Sequence, residues 1–307
     1  MAIPTRTLGR TGAEVTTLGY GAMELRGPRV ASSADAGRIL NAALDAGVNL
    51  IDTSPDYGVS EALIGEHASH RRGDYFLASK CGCTPGWEHP ADWQGPGPHD
   101  YSRANIVAAV EQSLTRMRTD YLDLVQVHIS PSAETLEREG VVETLRDLQA
   151  QGKVRFIGMS GTIPNLAEHI RMGVFDVFQI PYSLIEREHE ALIAEAAEAG
   201  AGVIIRGGAA KGAAEEDKRR ANPVAGNRWD AWERAGLGEL AEGMAPMEFI
   251  LRFTASHPQM TTNIVGTVNP DHLAQNVRAQ EAGPLPDDLY QEAKRRLDEA
   301  GTAPAGG

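Results

Sequence analysis

Eight short apolar runs recur along the chain, separated by stretches with helical spacing, and this alternation constrains the fold more than any other feature. The runs are Leu18–Met23, Asn49–Thr53, Tyr75–Cys81, Leu122–Ile129, Val154–Met159, Val177–Ile180, Gly202–Arg206 and Asn263–Gly266. Between them, Ala34–Ala46 sets Ile39, Ala43 and Leu44 on one face, and Ser102–Arg118 carries Ile106, Val110 and Leu114 at helical spacing. Further helices are expected over Thr135–Gln151, Ile163–Arg171, Glu188–Ala199 and Pro286–Ala300. Strands that alternate with helices lie parallel, because parallel neighbours need a crossover between them. Runs as apolar as Leu122–Val127 suit strands buried on both faces. Eight such units fit a closed (β/α)8 TIM barrel, typically about 250 residues in one domain, better than an open sheet.

The turn chemistry agrees. Ser32 and Ser33 can cap the first helix, and Gly47 stands just past its end, where a left-handed residue is favoured. Thr5–Leu8 and Ala13–Thr17, joined by Gly9–Gly12, read as a short N-terminal β-hairpin ahead of the barrel. The expectation is an α/β chain with one domain over residues 1–307, a barrel over roughly 18–298, and a flexible tail at 302–307. Two long segments break the rhythm: Gly82–Tyr101, with Trp87 and Trp93, and the charged Ala213–Asp230, with Trp229 and no evident periodicity. Long loops in compact domains are usually functional or disordered.

Composition narrows the partners. With 29 Lys and Arg against 42 Asp and Glu, the formal charge is −13, which disfavours nucleic acid and anionic membrane surfaces. No run is apolar enough to span a membrane, and Met1–Arg10 lacks a signal-peptide layout. Cys81 and Cys83 are the only cysteines, too few for a disulfide framework or a cysteine-built structural zinc site. A cytoplasmic protein with two reduced thiols is expected.

In such a barrel the chemistry sits at the carboxyl ends of the strands. Asp52 ends the second run, Tyr57 follows five residues later, Lys80 is near the end of the third and His128 near the end of the fourth. These four suit addition of hydride to a carbonyl, whose oxygen then needs a proton. Tyr57 can donate it, a nearby Lys80 ammonium favours the phenolate, Asp52 can hold Lys80, and His128 can place the carbonyl oxygen. Each alone has an ordinary reading, as a helix cap, a solvated lysine or a packed histidine; together, at three successive strand ends, they point to one site.

Four stretches carry a resemblance: Gly47–Gly58 (GVNLIDTSPDYG), Ala78–Lys80 (ASK), Asp123–His128 (DLVQVH) and Gly152–Ser160 (GKVRFIGMS). With them the chain resembles the aldo-keto reductase family from Thr5 to about Leu297. The resemblance implies reduction of aldehydes or ketones with NADPH, or alternatively NADH, and a tetrad of Asp52, Tyr57, Lys80 and His128 with Tyr57 as proton donor. For the cofactor it implies Gly21, Ala22 and Met23 after the first strand, and Ser160, Gly161 and Gln179 at the nicotinamide. Arg206, Gly207 and Lys211 would lie along the ring and pyrophosphate, and Gly266, Thr267, His272, Gln275 and Asn276 at the adenosine end. Gly266 and His272 stand where strongly NADPH-selective relatives often carry Lys and Arg, so a preference for NADPH less steep than theirs is expected. No GxGxxG or GxxxxGK[ST] fingerprint is present.

Tyr182 reads as packing and Cys81 as a small buried filler. Substrate contacts are expected from Glu24–Val30, Gly82–Tyr101 and Ala213–Asp230, with Trp87 ranked first because it lies seven residues beyond Lys80. Two other functions compete. One is a cofactor-binding regulatory subunit of the same fold, which turnover of a reactive aldehyde would discriminate. The other is a metal-dependent hydrolase using Asp52, His128, His89 and His99; the sequence has neither an HxH nor an HExxH pair, and no metal is expected.

Overall fold

The computed structural model describes residues 2–27, 30–84, 97–221 and 223–302. Trp87, His89, Trp93 and the tail beyond 302 lie outside the described residues. Strands β1 (Thr5–Thr7) and β2 (Glu14–Thr16) pair antiparallel, with Thr5 opposite Thr16. The remaining strands are β3 (Leu18–Gly21), β4 (Leu50–Asp52), β5 (Phe76–Cys81), β6 (Leu122–Val127), β7 (Val154–Ser160), β8 (Val177–Pro181), β9 (Gly202–Arg206) and β10 (Thr262–Val265). They form a closed parallel barrel in the order β10-β3-β4-β5-β6-β7-β8-β9. Closure depends on β10, whose Asn263 stands opposite Leu18 on one side and Ile205 on the other. All eight expected strands and the hairpin are present, with ends shifted by up to two residues.

Side chains alternate across the barrel wall. Outward residues such as Ile51, Leu77, Val125, Ile157, Phe178 and Val203 pack against the helices in one large core. On the opposite face, Leu50, Phe76, Ala78, Leu124, Val177 and Ile204 form a second cluster, and Leu8 from the hairpin joins them. Leu8 is fully buried and closes the amino-terminal end of the barrel. Its neighbour Gly9 has φ +50°, and a Cβ there would lie 2.1 Å from the Gly202 amide nitrogen, so only glycine admits this contact. The apolar plug at one end leaves the polar inward residues at the other.

Three expectations about helices need correction. Thr135–Gln151 is two helices, Ala133–Arg138 and Val141–Ala150, because Gly140 between them takes φ +61°. Ile163–Arg171 begins later, at Leu166, and ends at Met172. The segment at 213–230, expected to be irregular, contains helices Glu216–Ala221 and Pro223–Arg234. Ala225, Trp229 and Trp232 recur there at helical spacing beneath a charged exterior, and Trp229 stacks on Trp232 with ring centroids 5.5 Å apart. Trp229 also donates to Glu233 one turn along the same helix, while Trp232 meets Phe249 edge-on and fastens the segment to the core. No described helix is long and apolar enough to cross a membrane.

Candidate active site

The polar layer is built by strand register. Asp52 on β4 stands opposite Ala78, and Lys80, two residues further along β5, stands opposite Gln126 on β6. Period-two alternation therefore turns Asp52, Lys80, Gln126 and Gln179 to the same face as the apolar plug, at its carboxyl-terminal side. Lys80 Nζ donates to Asp52 Oδ1 at 2.7 Å and to the Thr53 carbonyl at 2.7 Å. Asp52 Oδ2 accepts from Gln126 Nε2 at 2.9 Å and from Gln179 Nε2 at 2.8 Å. Asp52 and Lys80 are each 1% exposed, so this is a dry ion pair whose oxygens are all engaged.

Tyr57 lies in the turn that follows β4. Its amide bonds the Ser54 carbonyl and its carbonyl accepts from the Ser60 amide, which leads directly into helix Ser60–His67. The Lys80 ammonium sits 4.9 Å from the Tyr57 ring centroid, close enough for its charge to act on the phenol. Tyr57 faces His128 edge-on, with ring centroids 6.5 Å apart.

Burial dominates the proton affinities. It raises the Tyr57 phenol above its ordinary value; the Lys80 ammonium opposes this, and the Asp52 and Asp56 carboxylates reinforce it. The ammonium thus acts in the direction expected from sequence, but burial outweighs it and Tyr57 keeps its proton at neutral pH. For Lys80, burial works against the charge, but the Asp52 carboxylate and its neighbours more than offset it, and the ammonium persists above its ordinary range. His128 is held neutral, first by burial and then by the charges of Lys80 and Arg206 and by His99.

Beside this layer is a group that strand-end reasoning does not reach. Cys83 Sγ lies 3.2 Å from His128 Nδ1 and 3.6 Å from His99 Nε2, and the two histidine nitrogens are 3.2 Å apart. Asp56 Oδ2 lies 3.7 Å from His128 Nδ1. His99 reaches this place because the chain returns beside β5, where Cys83 and His99 form an antiparallel bridge. Of the hydrolase set, only His128 and His99 meet here; Asp52 is committed to Lys80 and the two glutamines, and His89 is outside the described residues.

The residues marked for a cofactor follow the rim. Gly21 ends β3 and Gly266 follows β10; a Cβ on Gly266 would lie 2.4 Å from the Gly21 carbonyl oxygen, so glycine is needed for their approach. Ala22 and Met23 begin the 3-10 turn Ala22–Leu25, and the Ala22 carbonyl accepts from Ser60. Ser160 donates to the Gln179 side-chain oxygen at 3.4 Å, and the Gly161 amide donates to the Gln179 carbonyl at 3.0 Å. Gln179 thus links Asp52 to Ser160. Arg206 ends β9, followed by Gly207 at φ +77° and the exposed Lys211 at φ +57°. Thr267 accepts from the Asn269 amide, which precedes helix Pro270–Glu281 carrying His272, an exposed Gln275 and a buried Asn276. His272 Nδ1 lies 3.6 Å from a Glu215 carboxylate oxygen. Trp87 lies outside the described residues. Tyr182 is core: it is fully buried, and its hydroxyl meets that of Tyr290 at 3.2 Å. Cys81 is fully buried as expected.

Gln126 and Asp56 were not singled out from sequence. Gln126 shares the phase of Leu122, Leu124 and His128 in an otherwise apolar strand, and that phase was the available signal.

The model of the aldo/keto reductase family matches residues 17–297. The uncharacterized oxidoreductase YqkF of Bacillus subtilis is 27% identical over 290 residues, covering 90% of this chain and 91% of its own. Pyridoxine 4-dehydrogenase of Escherichia coli is 28% identical over 294 residues, covering 92% and 94%. Among solved structures, an aldo-keto reductase of Bacillus halodurans in its holo form superposes with a TM-score of 0.80 at 28% identity, covering 96% of each chain.

Proposed function

The chain belongs to the aldo/keto reductase family, and from that premise we propose that it reduces aldehydes or ketones through Tyr57, Lys80, Asp52 and His128, as one barrel domain. The observation that carries this reading is the proton arrangement at Lys80. An ammonium has three donors; two are bound by Asp52 and Thr53, which leaves the third uncommitted with the Tyr57 ring centroid 4.9 Å away. Burial keeps Tyr57 protonated at rest, and the phenolate left after it donates is formed beside a fixed positive charge. Asp52 holds that charge in place, and Gln126 and Gln179 hold Asp52. His128, neutral, donates to the carbonyl oxygen from the ring nitrogen that Cys83 and His99 leave free. General acid assistance of this kind is worth about 10²–10⁴ in rate.

A bound nicotinamide cofactor supplies the hydride. The rim fits such a group: Gly21 and Gly266 bring two strand ends together where no larger residue enters, and Thr267 lies ahead of a helix start, where phosphate is favoured. We assign Gly21, Ala22, Met23, Ser160, Gly161, Gln179, Arg206, Gly207, Lys211, Gly266, Thr267, His272, Gln275 and Asn276 to its binding. NADPH is preferred over NADH only modestly, because His272 stands where strongly NADPH-selective relatives often carry a fixed cation, and a Glu215 carboxylate oxygen lies 3.6 Å from it.

The test is Tyr57→Phe, assayed by NADPH oxidation with a panel of aldehydes and ketones and by cofactor fluorescence. Reduction should fall by about 10²–10⁴ with cofactor binding nearly unchanged. Unimpaired turnover would remove Tyr57 as donor, and joint loss of binding and turnover would make it structural.

A further inference from the structure

We propose that Asp56, Cys83, His99 and His128 form a four-coordinate site for a transition dication of the zinc class at the mouth of the barrel. Their ligand atoms, one thiol sulfur, two imidazole nitrogens and one carboxylate oxygen, all lie within 4.8 Å of one another. The measured edges are 3.2 Å from Cys83 to His128, 3.2 Å between the histidines, 3.6 Å from Cys83 to His99 and 3.7 Å from Asp56 to His128. A tetrahedral ion with bonds of about 2.3 Å to sulfur and about 2.0–2.1 Å to nitrogen or oxygen requires edges of about 3.3–3.6 Å. Cys83, His99 and His128 are thus near their coordinating positions already. Asp56, 3.7 Å from His128 and within 4.8 Å of the other two, would complete the set with a small inward shift. Three of the four residues are buried.

The surrounding contacts are those a ligand set needs. His99 Nδ1 donates to the Gly97 carbonyl at 2.7 Å, which leaves the Nε2 lone pair directed into the group. Metal-bound histidines characteristically donate their other N–H to such a carbonyl, and bound carboxylates are themselves hydrogen-bonded. Asp56 meets the second condition by accepting from Ser54 Oγ. If His128 donates to substrate from its other nitrogen, as the reductase reading has it, its Nδ1 is also a bare lone pair. A single Cys83 thiol proton then faces two imidazole acceptors, and a cation replacing that proton would satisfy both. Mixed thiolate, imidazole and carboxylate donors favour zinc over magnesium or calcium, which prefer oxygen.

The test uses untagged, chelator-treated full-length protein kept reduced and titrated with Co²⁺ alone. One ion per chain should bind with a thiolate-to-cobalt charge-transfer band and the intense visible bands of four-coordinate cobalt, and Zn²⁺ should displace it. Cys83→Ser should abolish the charge-transfer band, and His99→Ala should weaken binding by roughly ten-fold or more, both with unchanged far-ultraviolet circular dichroism. A weak six-coordinate cobalt spectrum in the native chain, or a band that survives Cys83→Ser, would overturn the site. Since carbonyl reduction is not read here, failure of this proposal and failure of the reductase reading remain distinguishable.

Discussion

Replacing Lys80 with Met examines the buried pair on which the site rests. At 2.7 Å, and with the effective dielectric of about 20 that suits protein sites, the Asp52–Lys80 attraction is about 6 kcal/mol. Most of it offsets the desolvation of two ions that are each 1% exposed. Removing only the cation leaves the Asp52 carboxylate buried with two amide donors and no counter-charge. Breaking one side of such a pair costs about 3–5 kcal/mol. Extrapolating about 2–4 °C per kcal/mol from smaller domains, that lowers the melting temperature by very roughly 6–20 °C. The second variant is Lys80→Met with Asp52→Asn, which removes the stranded charge while the Asn oxygen can still accept from Gln126 and Gln179. Although it changes more residues, the double variant should be more stable than Lys80→Met alone. Denaturant unfolding followed by circular dichroism measures both, and NADPH oxidation should be lost in both. A double variant no more stable than Lys80→Met alone would refute the idea that an uncompensated charge dominates the cost.

Other expectations rest on single contacts. Glu215→Gln removes a carboxylate 3.6 Å from His272; relieving competition between it and the ribose phosphate is worth up to about 1 kcal/mol at a partly exposed site, so kcat/KM for NADPH relative to NADH should rise by up to about five-fold. Glu61 accepts from Ser79 at 2.9 Å and Ser113 at 2.7 Å, and burial raises its pKa against the pull of those bonds and Arg116. The folded chain therefore holds this proton more tightly than the unfolded chain, whose value is about 4.3. Its contribution is greatest below that pH and declines as pH rises through the raised folded value. Urea unfolding from acid to neutral pH should show the native chain losing stability relative to Glu61→Gln, and a constant difference would contradict the shift. Gly9→Ala should cost about 2–5 kcal/mol, since strain at positive φ adds to overpacking against Gly202. Gly12→Ala, at φ +68° with nothing within 4 Å of the new Cβ, should cost only about 1–2 kcal/mol in the same assay.

The barrel was legible because its strands are short apolar runs set apart by helical spacing, a signal that survives without knowledge of contacts. Asp52, Lys80 and His128 were legible for a related reason: ionisable residues at the ends of such runs stand out. Gln126 did not, since a single amide within Leu122–Val127 does not reveal which side of the wall it faces until strand phase is fixed. Helices Glu216–Ala221 and Pro223–Arg234 were hidden by charge, as the apolar positions at Ala225, Trp229 and Trp232 are sparse. Gly140 breaks a helical run by its own backbone angle, which periodicity does not register. The approach of His99 to His128 depends on how the chain returns beside Cys83, and local sequence carries no record of that return.

The strand that completes the ring also sets a schedule for synthesis. Leu18 and its neighbours on β3 find their second partner only when Asn263 and the rest of β10 have emerged. At about 5–20 residues per second the growing chain then spends roughly 12–50 s with one border of the nascent sheet bare. An unpaired border recruits other strands, so a product ending before Thr262 should associate with itself or be held by chaperones. Ribosome-bound chains stalled on either side of β10 should accordingly differ sharply in protease resistance, with protection of β3 arriving together with β10 and not gradually along the length already made.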